Sequence, residues 1–582
     1  MNKNVIEQIY DLSDNFSEKA ETKLKELLKP YKKGAVGIAQ LNPIVGDIEY
    51  NATNVVKYIT HAQNIGIELV IFPELTLIGN PIGNITKRYP AIAQENFKWL
   101  EQISKLTTKT TAIVGFLEQD KESFYHSFAI LSNGKIQKII RKNKDYFEIS
   151  VNEAKYLIAS NIQKAEYSKY RSLAKENSCP LICVNQVGAI DNIVFDGAST
   201  VFNKNGEIFA RAKEFEEQFL IVNIEKSLKK IYPSISAIQE ECKHQNFSLD
   251  YEYDLERTYK TIVLGIKDYF WKTGFKRAVL GLSGGLDSTV CAVLLADALG
   301  AENVLGISMP SKITSNESKT DAEKLAHNLG INFTVMPIKE IVETTSCNFS
   351  NLFENIEKKW GNRYKQSFTN DNIQARSRAV ILWGVSNEFG KCLPIATSDK
   401  SEAYMGYATI NGDMSGGFAP IADVTKTKLF ALARWLNKNR EVKNAIPESV
   451  ILKKPGAELA IDPKTGKPLI AEDALMPYEF LDEVIWRIEN KNESYEQMLN
   501  SEFLYEKKNQ ISKEQKIEWL DKFYRRMATS LYKGSILPPF VVVDSNSLNK
   551  YNYKQPITSS RITYKSLSEE EILNKIQVNN NL

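Results

Sequence analysis

One short run, Ser283-Gly284-Gly285-Leu286-Asp287-Ser288, combines residue types whose spacing can do chemistry. A strand-like Arg277-Ala278-Val279-Leu280-Gly281 leads into it, and a helix is expected to follow over residues 289–299. Glycines let the backbone turn tightly and present N–H groups to an anion, while the next helix aims its positive end at the same anion. The hydroxyls of Ser283 and Ser288 can add hydrogen bonds to phosphate oxygens. Asp287 would repel a phosphate unless a cation intervened, so Mg²⁺ coordination is its natural task. The bland alternative is a glycine turn that only closes a βα unit. No Gly-Lys-Ser/Thr ends the run, so it is not a Walker A loop, and it lacks the Gly-x-Gly-x-x-Gly dinucleotide spacing.

The pattern resembles the PP-loop of the ATP pyrophosphatases, which split ATP to AMP and pyrophosphate. Further motifs select one branch. Met309-Pro310-Ser311, Thr314-Ser315, Ser318 and Asp321 follow a second strand, and Asn372-Ile373-Gln374-Ala375-Arg376-Ser377-Arg378 opens a helix. Thr397-Ser398-Asp399-Lys400-Ser401-Glu402, Gly406-Tyr407-Ala408-Thr409, Gly412-Asp413-Met414-Ser415-Gly416-Gly417, Asp423 with Lys426-Thr427, and Pro455-Gly456-Ala457-Glu458-Leu459 come after it. In this order, from residue 256 to about 560, the chain is similar to the NAD synthetase family.

The resemblance implies that the nicotinate carboxylate of deamido-NAD is adenylated by ATP and then attacked by an amine. Carried onto matching positions, Gly281, Ser283, Gly284, Gly285, Asp287, Ser288, Met309, Thr397 and Lys426 would bind ATP. Asn372, Arg376, Arg378, Glu402, Asp413 and a C-terminal lysine, Lys554, would bind the dinucleotide, and Asp287 with Glu402 would hold Mg²⁺. Nicotinate mononucleotide stays open as a substrate, since it shares the nicotinate end. Arg378 as a surface helix residue and Lys426 as a solvated lysine stay open too. The sequence departs from the family where Thr-Gly-Asn-Lys-Ser-Glu is common, because Ser398 and Asp399 replace the Gly and Asn.

Residues of about 34–225 resemble the nitrilase-like domain fused to glutamine-dependent members, which release ammonia from glutamine with a Glu-Lys-Cys triad. Phe72-Pro73-Glu74-Leu75 matches the glutamate motif, Lys142 stands where the lysine should lie, and Val194-Phe195-Asp196-Gly197 matches a later strand. The nucleophile's Ile-Cys-Glu-Asp strand has no counterpart. Lys142 is followed almost at once by Asp145-Tyr146-Phe147-Glu148, and Leu157-Ile158-Ala159-Ser160-Asn161 already matches the strand beyond. A cysteine nucleophile needs the lysine and glutamate within hydrogen-bond reach. Cys183, in Leu181-Ile182-Cys183-Val184, lies one strand too late and reads as a buried thiol, leaving Glu74 and Lys142 as relics paired with each other. The expected function is therefore amidation of deamido-NAD with free ammonia. Glutamine use through a non-standard site is the alternative, and a scaffold role is a further one for this half of the chain.

These groups need a frame. Strand-like segments at 35–40, 68–74, 112–117, 127–131, 181–187 and 219–224, with a helix over about 51–65, predict a layered α/β domain of the nitrilase-like αββα sandwich class. A second βα series from 277 predicts a Rossmann-like ATP pyrophosphatase domain. The expected division is a helical extension over 1–33, the first domain over 34–225, a linker over 226–255 and the second domain over 256–582. A chain of 582 residues exceeds one ordinary core. A net charge of +3, with basic residues scattered among acidic ones, argues against a nucleic-acid footprint. No run approaches the roughly 18 apolar residues that span a bilayer, and no signal peptide opens the chain. The six cysteines are dispersed and the four histidines far apart, so reduced thiols in a cytoplasmic protein are expected rather than structural zinc. A homo-oligomer is expected from the nitrilase-like resemblance.

Overall fold

The computed structural model describes residues 34–151, 154–161, 166–223, 252–361, 368–456 and 470–543, together with Thr22 and Glu26. The expected N-terminal extension, most of the linker, the Ala457-Glu458-Leu459 end of one motif and Lys554 lie outside the described residues. The chain divides into two compact units, Met1–Asp250 and Tyr251–Leu582.

The first unit is built on β1 (Ala35–Gln40), β2 (Leu69–Ile71), β3 (Thr111–Asp120), β4 (Ser123–Ser132), β5 (Lys135–Arg141), β6 (Tyr146–Val151), β7 (Ala154–Ser160), β8 (Leu181–Val184), β9 (Val187–Ile190), β10 (Ile193–Asp196), β11 (Thr200–Phe202), β12 (Ile208–Arg211) and β13 (Gln218–Asn223). One sheet has the order β13-β1-β2-β3-β4-β5 and a second the order β12-β11-β8-β7-β6, while β9 and β10 form a hairpin. Side chains alternate across each strand. Val36, Ile38, Leu69, Ile71 and Ile113 therefore meet Ile149, Ile158, Ile182, Val184 and Val201 in a shared core cluster. On its other face the first sheet buries Ala39, Val70, Phe72, Val114 and Phe116 together with Val55, Ile59 and Leu100 of the helices Ile48–Ile65 and Ile92–Leu106. The second sheet buries Leu157, Ala159, Leu181, Cys183 and Phe202 with Tyr167, Tyr170 and Ala174 of the helix Tyr167–Glu176. The layers run helix, sheet, sheet, helix, which is the expected αββα sandwich.

The sequence marked residues 181–187 as one strand, and two are present, β8 and β9. The break has a polar cause. The Asn185 amide N–H bonds the Ser199 hydroxyl and its side chain donates to the Gly197 carbonyl, drawing the chain out of the sheet. The strands β5 and β6, which the periodicity did not single out, sit at the sheet edges, where half-exposed faces blur the alternation.

In the second unit β14 (Arg277–Gly281), β15 (Val304–Ser308), β16 (Asn332–Val335) and β17 (Cys392–Pro394) form a sheet in the order β16-β15-β14-β17. Each neighbouring pair is parallel. The inner strands β14 and β15 with β17 are largely buried, as parallel strands covered by helices are, while β16 is an exposed edge. The helix after β14, Leu286–Leu299, is apolar almost all round and buries ten of its residues from Leu286 to Ala296. It begins three residues before the expected start, because Gly285 takes the N-cap position. Asp287 thereby enters the first helical turn rather than a loop. Among the described residues no helix is long and apolar enough to cross a membrane.

One glycine of the first unit sets a close approach. A Cβ at Gly115 would lie 2.2 Å from the Pro73 carbonyl oxygen and 2.8 Å from the Glu74 Cα, so only glycine lets β3 pass under the segment carrying Glu74. Gly115→Ala is expected to destabilise the first unit by about 1–3 kcal/mol, the usual range for overpacking. Denaturant unfolding resolved by unit checks this, with the loss confined to the first unit's transition.

Candidate active site

The second unit brings the glycine loop to the carboxyl end of β14, where open α/β sheets bind ligands. Gly284 has φ +77° and a Cβ there would meet the Ser318 carbonyl at 2.1 Å, so the loop can fold this closely only with glycine. Ser283 and Ser288 bond each other through their hydroxyls at 3.0 Å, and the Gly285 N–H donates to the Ser283 hydroxyl. Gly281 faces the Met309 methyl, 3.1 Å from where a Cβ would stand. The Met309 side chain packs in a buried cluster with Val279, Ile307 and Ile381, leaving its backbone carbonyl to accept from Arg378 at 3.2 Å. Arg378 is thus half-buried and anchored.

Lys426 is no solvated lysine. Its side chain is 0 % exposed, and its ammonium lies 2.6 Å from Asp287, 2.7 Å from Asp399 and 3.1 Å from Glu402. The four groups come from helix starts. Asp287 is in the first turn of Leu286–Leu299, Asp399 caps the helix Lys400–Met405 with Glu402 in its first turn, and Lys426 begins the helix Lys426–Asn439. Asp399 uses one carboxylate oxygen to accept from the Glu402 N–H at 2.8 Å. Its other oxygen, turned to Lys426, is buried and at ion-pair distance but lacks hydrogen-bond geometry. Ligand atoms of Asp287, Asp399 and Glu402 all lie within 4.8 Å of one another, an oxygen-only set that suits a hard divalent cation.

The electrostatics follow from burial. Desolvation disfavours ionised groups, and like charges add to it for acids. Burial, aided by repulsion from Asp287, pushes the Asp399 carboxyl up to about 7 against the pull of Lys426. Glu402 is driven well above the carboxylate range by burial and by repulsion from Asp399 and Asp287, which outweigh Lys426. Burial pulls the Lys426 ammonium down, yet Asp287, Asp399 and Glu402 together hold it well above its ordinary value. The cluster thus sets three acids against one ammonium, and burial with their mutual repulsion raises Asp399 and Glu402.

Around this cluster, Ser401 donates to Asp482 and accepts from the Lys426 backbone N–H at 2.9 Å, while Lys400 pairs with Asp423 and Glu489. Asn372 accepts from the Thr409 hydroxyl, Asp413 accepts from the Thr409 N–H at 2.7 Å, and the Arg376 Nε donates to the Ile410 carbonyl. The motifs at 372–378 and 406–413 are therefore tied together, and Ser398 of the 397–402 motif donates to Asp413 at 3.5 Å. Thr397 is half-buried just past β17. Sequence reading assigned nothing to Asp399 or to Lys533, whose ammonium donates to the Gly406 and Ala408 carbonyls beside Asp413. The Asp-x-x-Glu spacing of a helix start was the available signal for Asp399; none pointed to Lys533.

In the first unit Glu74 is 5 % exposed, and its two carboxylate oxygens meet Lys142 at 2.5 Å and His126 Nδ1 at 2.6 Å. Burial pushes the Glu74 carboxyl up, but the hydrogen bonds from His126 and Lys142 prevail and hold it below its ordinary value. The Glu74 N–H donates to the Ser160 hydroxyl at 2.8 Å. His126 had no signal in the sequence beyond its place in a strand. Ser160 and Cys183 stand on opposite faces of the second sheet, because Ala159, not Ser160, is the register partner of Cys183. Cys183 is fully buried under the helix Tyr167–Glu176, and burial pushes its thiol well up. Cys179 lies in the same apolar cluster. Residues 142–178 contain no cysteine.

The NAD synthase family model matches residues 258–525, and the carbon-nitrogen hydrolase model matches in two overlapping pieces, 35–164 and 147–231. The glutamine-dependent NAD(+) synthetase of Aquifex aeolicus is 34% identical over 531 residues, 79% of this chain and 90% of that protein. The enzyme of the same name from Thermotoga maritima is 32% identical over 527 residues, covering 78% and 88%. Among solved structures, glutamine-dependent NAD+ synthetase from Acinetobacter baumannii in complex with ADP aligns with TM-score 0.62 and 25% identity, over 91% of this chain and 99% of that one. With a nitrilase-like sandwich, a parallel-sheet unit carrying the glycine loop, and relatives matched over nearly their whole length, the chain belongs to the glutamine-dependent NAD(+) synthetase family.

Proposed function

We propose that the second unit amidates deamido-NAD through an acyl-adenylate, releasing pyrophosphate and then AMP, and that free ammonia is its effective nitrogen donor. The observation carrying the first part is the convergence of the glycine loop, Asp287, Glu402 and Lys426 at one strand end. A carboxylate is a poor electrophile, so its oxygen attacks the α-phosphorus of ATP and pyrophosphate leaves. Ammonia then adds to the acyl carbon, AMP departs with the electron pair of the broken bond, and a proton is lost. Both reactants of the first step are anions, so positioning and charge neutralisation dominate. The backbone of Ser283, Gly284 and Gly285 with the hydroxyls of Ser283 and Ser288 binds phosphate, with Gly281, Met309 and Thr397 beside the nucleotide. Asn372, Arg376, Arg378 and Asp413 orient the dinucleotide, and Lys554 is assigned to it by resemblance alone. Asp287 and Glu402 hold Mg²⁺, which when bound supplies Lewis-acid polarisation and charge neutralisation at the phosphates. Lys426 adds a fixed positive charge beside them.

The second part rests on the first unit. Glu74 and Lys142 keep their ion pair, but the chain passes from Lys142 straight into β6 and β7 without a cysteine. The thiols of Cys179 and Cys183 lie in a different layer, under the helix Tyr167–Glu176. The two overlapping carbon-nitrogen hydrolase matches support a break in the domain at this place. The name shared by the relatives favours the opposite reading, glutamine use, and one comparison separates the two.

Purified protein with deamido-NAD, ATP and Mg²⁺ is expected to form NAD with ammonium and at least about a hundredfold more slowly with glutamine, since loss of a covalent nucleophile costs several powers of ten. Glutamine-driven turnover that matches the ammonium rate and disappears in Cys183→Ala would overturn the reading. The relic pair gives a stability test. Lys142→Met leaves a buried carboxylate short of a partner and is expected to cost the first unit about 1–3 kcal/mol, discounted for the partial exposure of Lys142. Glu74 is held below its ordinary 4.5, so its pairing stabilises the fold fully above that pH and less as pH falls through the folded-state value. The gap between wild type and variant should narrow in that acid window, as measured by denaturant titration at several pH values.

A further inference from the structure

Asp287 and Glu402 were expected to hold the metal, yet the carboxylate buried deepest beside them belongs to Asp399. Its side chain is 0 % exposed, against 26 % for Asp287 and 17 % for Glu402. One of its oxygens is committed to the helix cap, where it accepts the Glu402 N–H. The other faces the Lys426 ammonium at 2.7 Å, an ion pair without hydrogen-bond alignment. A carboxylate oxygen of Asp399 lies within 4.8 Å of ligand atoms of both Asp287 and Glu402. Three carboxylates crowd the one ammonium of Lys426, and a divalent cation among them would relieve their mutual repulsion.

We infer that Asp399 is a third carboxylate ligand of the Mg²⁺ site, fixed in aim by its helix-cap bond, so that this chain binds the ion before nucleotide arrives. An asparagine at the position, the residue common in the resembled motif, would keep the cap and present an amide instead of the charged oxygen. A ligand held by a second bond loses less freedom on binding than a free side chain. The inference rests on the assignment of Asp287 and Glu402 to the metal.

The test is titration of the full-length protein with Mn²⁺, without nucleotide, following free Mn²⁺ by electron paramagnetic resonance. Wild type is expected to bind one ion, and Asp399→Asn to bind it at least about tenfold more weakly, the minimum usual for losing a group that ligates or orients at a metal. If Asp399→Asn fails to fold by circular dichroism, Asp399→Ser, which also caps a helix, takes its place with the same expectation. Equal affinity in the Asp399 variant, or no nucleotide-independent site in wild type, overturns the role of Asp399. Equal affinity in Asp287→Asn overturns the underlying metal assignment instead. Ammonium-driven NAD formation by wild type, assayed separately, reports on the ligase reading alone.

Discussion

A lysine ammonium with no exposure to solvent is tolerated only when its charge is met nearby, and the second unit is organised around meeting that of Lys426. Its position makes the demand sharper. As the first residue of its helix it sits at the positive end of the backbone dipole, which disfavours a cation. Asp287, Asp399 and Glu402 each stand at a helix start too, where the same dipole favours an anion. Three helix beginnings therefore converge, and each carboxylate is stabilised by its own helix while it offsets the misplaced lysine. The parallel sheet makes this possible, because β14 and β17 lie side by side and both release their chains at the same edge. Ser401, Asp482 and Thr427 then lock the two later helices together, with Thr427 donating its N–H to Asp482 at 2.7 Å.

The first unit shows the same rule with a different outcome. Glu74 is buried where Gly115 leaves room for its backbone, and a buried carboxylate requires partners whether or not it catalyses anything. Lys142 and His126 supply them. Loss of a nucleophile would not release these residues, since removing either would leave charge stranded in the sandwich. Persistence of a catalytic-looking pair is thus weak evidence for catalysis. Beyond Lys142 the chain stays packed: β6 takes the edge of the second sheet, placing Ile149 in the core and Phe147 against Phe128, with ring centroids 4.8 Å apart.

Much of this was legible in the sequence, for identifiable reasons. Buried parallel strands such as 277–281 are short apolar runs ended by glycine, so the βα order and the glycine loop could be read directly. The Glu74–Lys142 pair followed from matching motifs, and the structure forms it. The face occupied by Cys183 could not be read, because Leu181-Ile182-Cys183-Val184 is apolar on both sides and carries no alternation. Only the pairing of Cys183 with Ala159 settles it. Asp399 carried only the unused Asp-x-x-Glu spacing of a helix start, and its contact with Lys426 depends on how separate helix starts converge. The edge strands β5 and β6 were obscured by the polar residues that edges carry.

These two clusters bear on where the nitrogen enters. All groups of the Asp287–Asp399–Glu402–Lys426 cluster come from the second unit, as do Asn372, Arg376, Arg378 and Asp413. Activation of the carboxylate therefore needs nothing from the Glu74 cluster, and damage to a glutaminase would leave the adenylating machinery chemically whole. What such damage changes is the concentration and path of the amine, a supply problem rather than a barrier problem. The second step is an uncharged nucleophile adding to an already activated acyl group, which does not require that the nucleophile be generated nearby. Burial alone therefore accounts for the Glu74–Lys142 ion pair, and the electrostatics of the second unit stand independently of it.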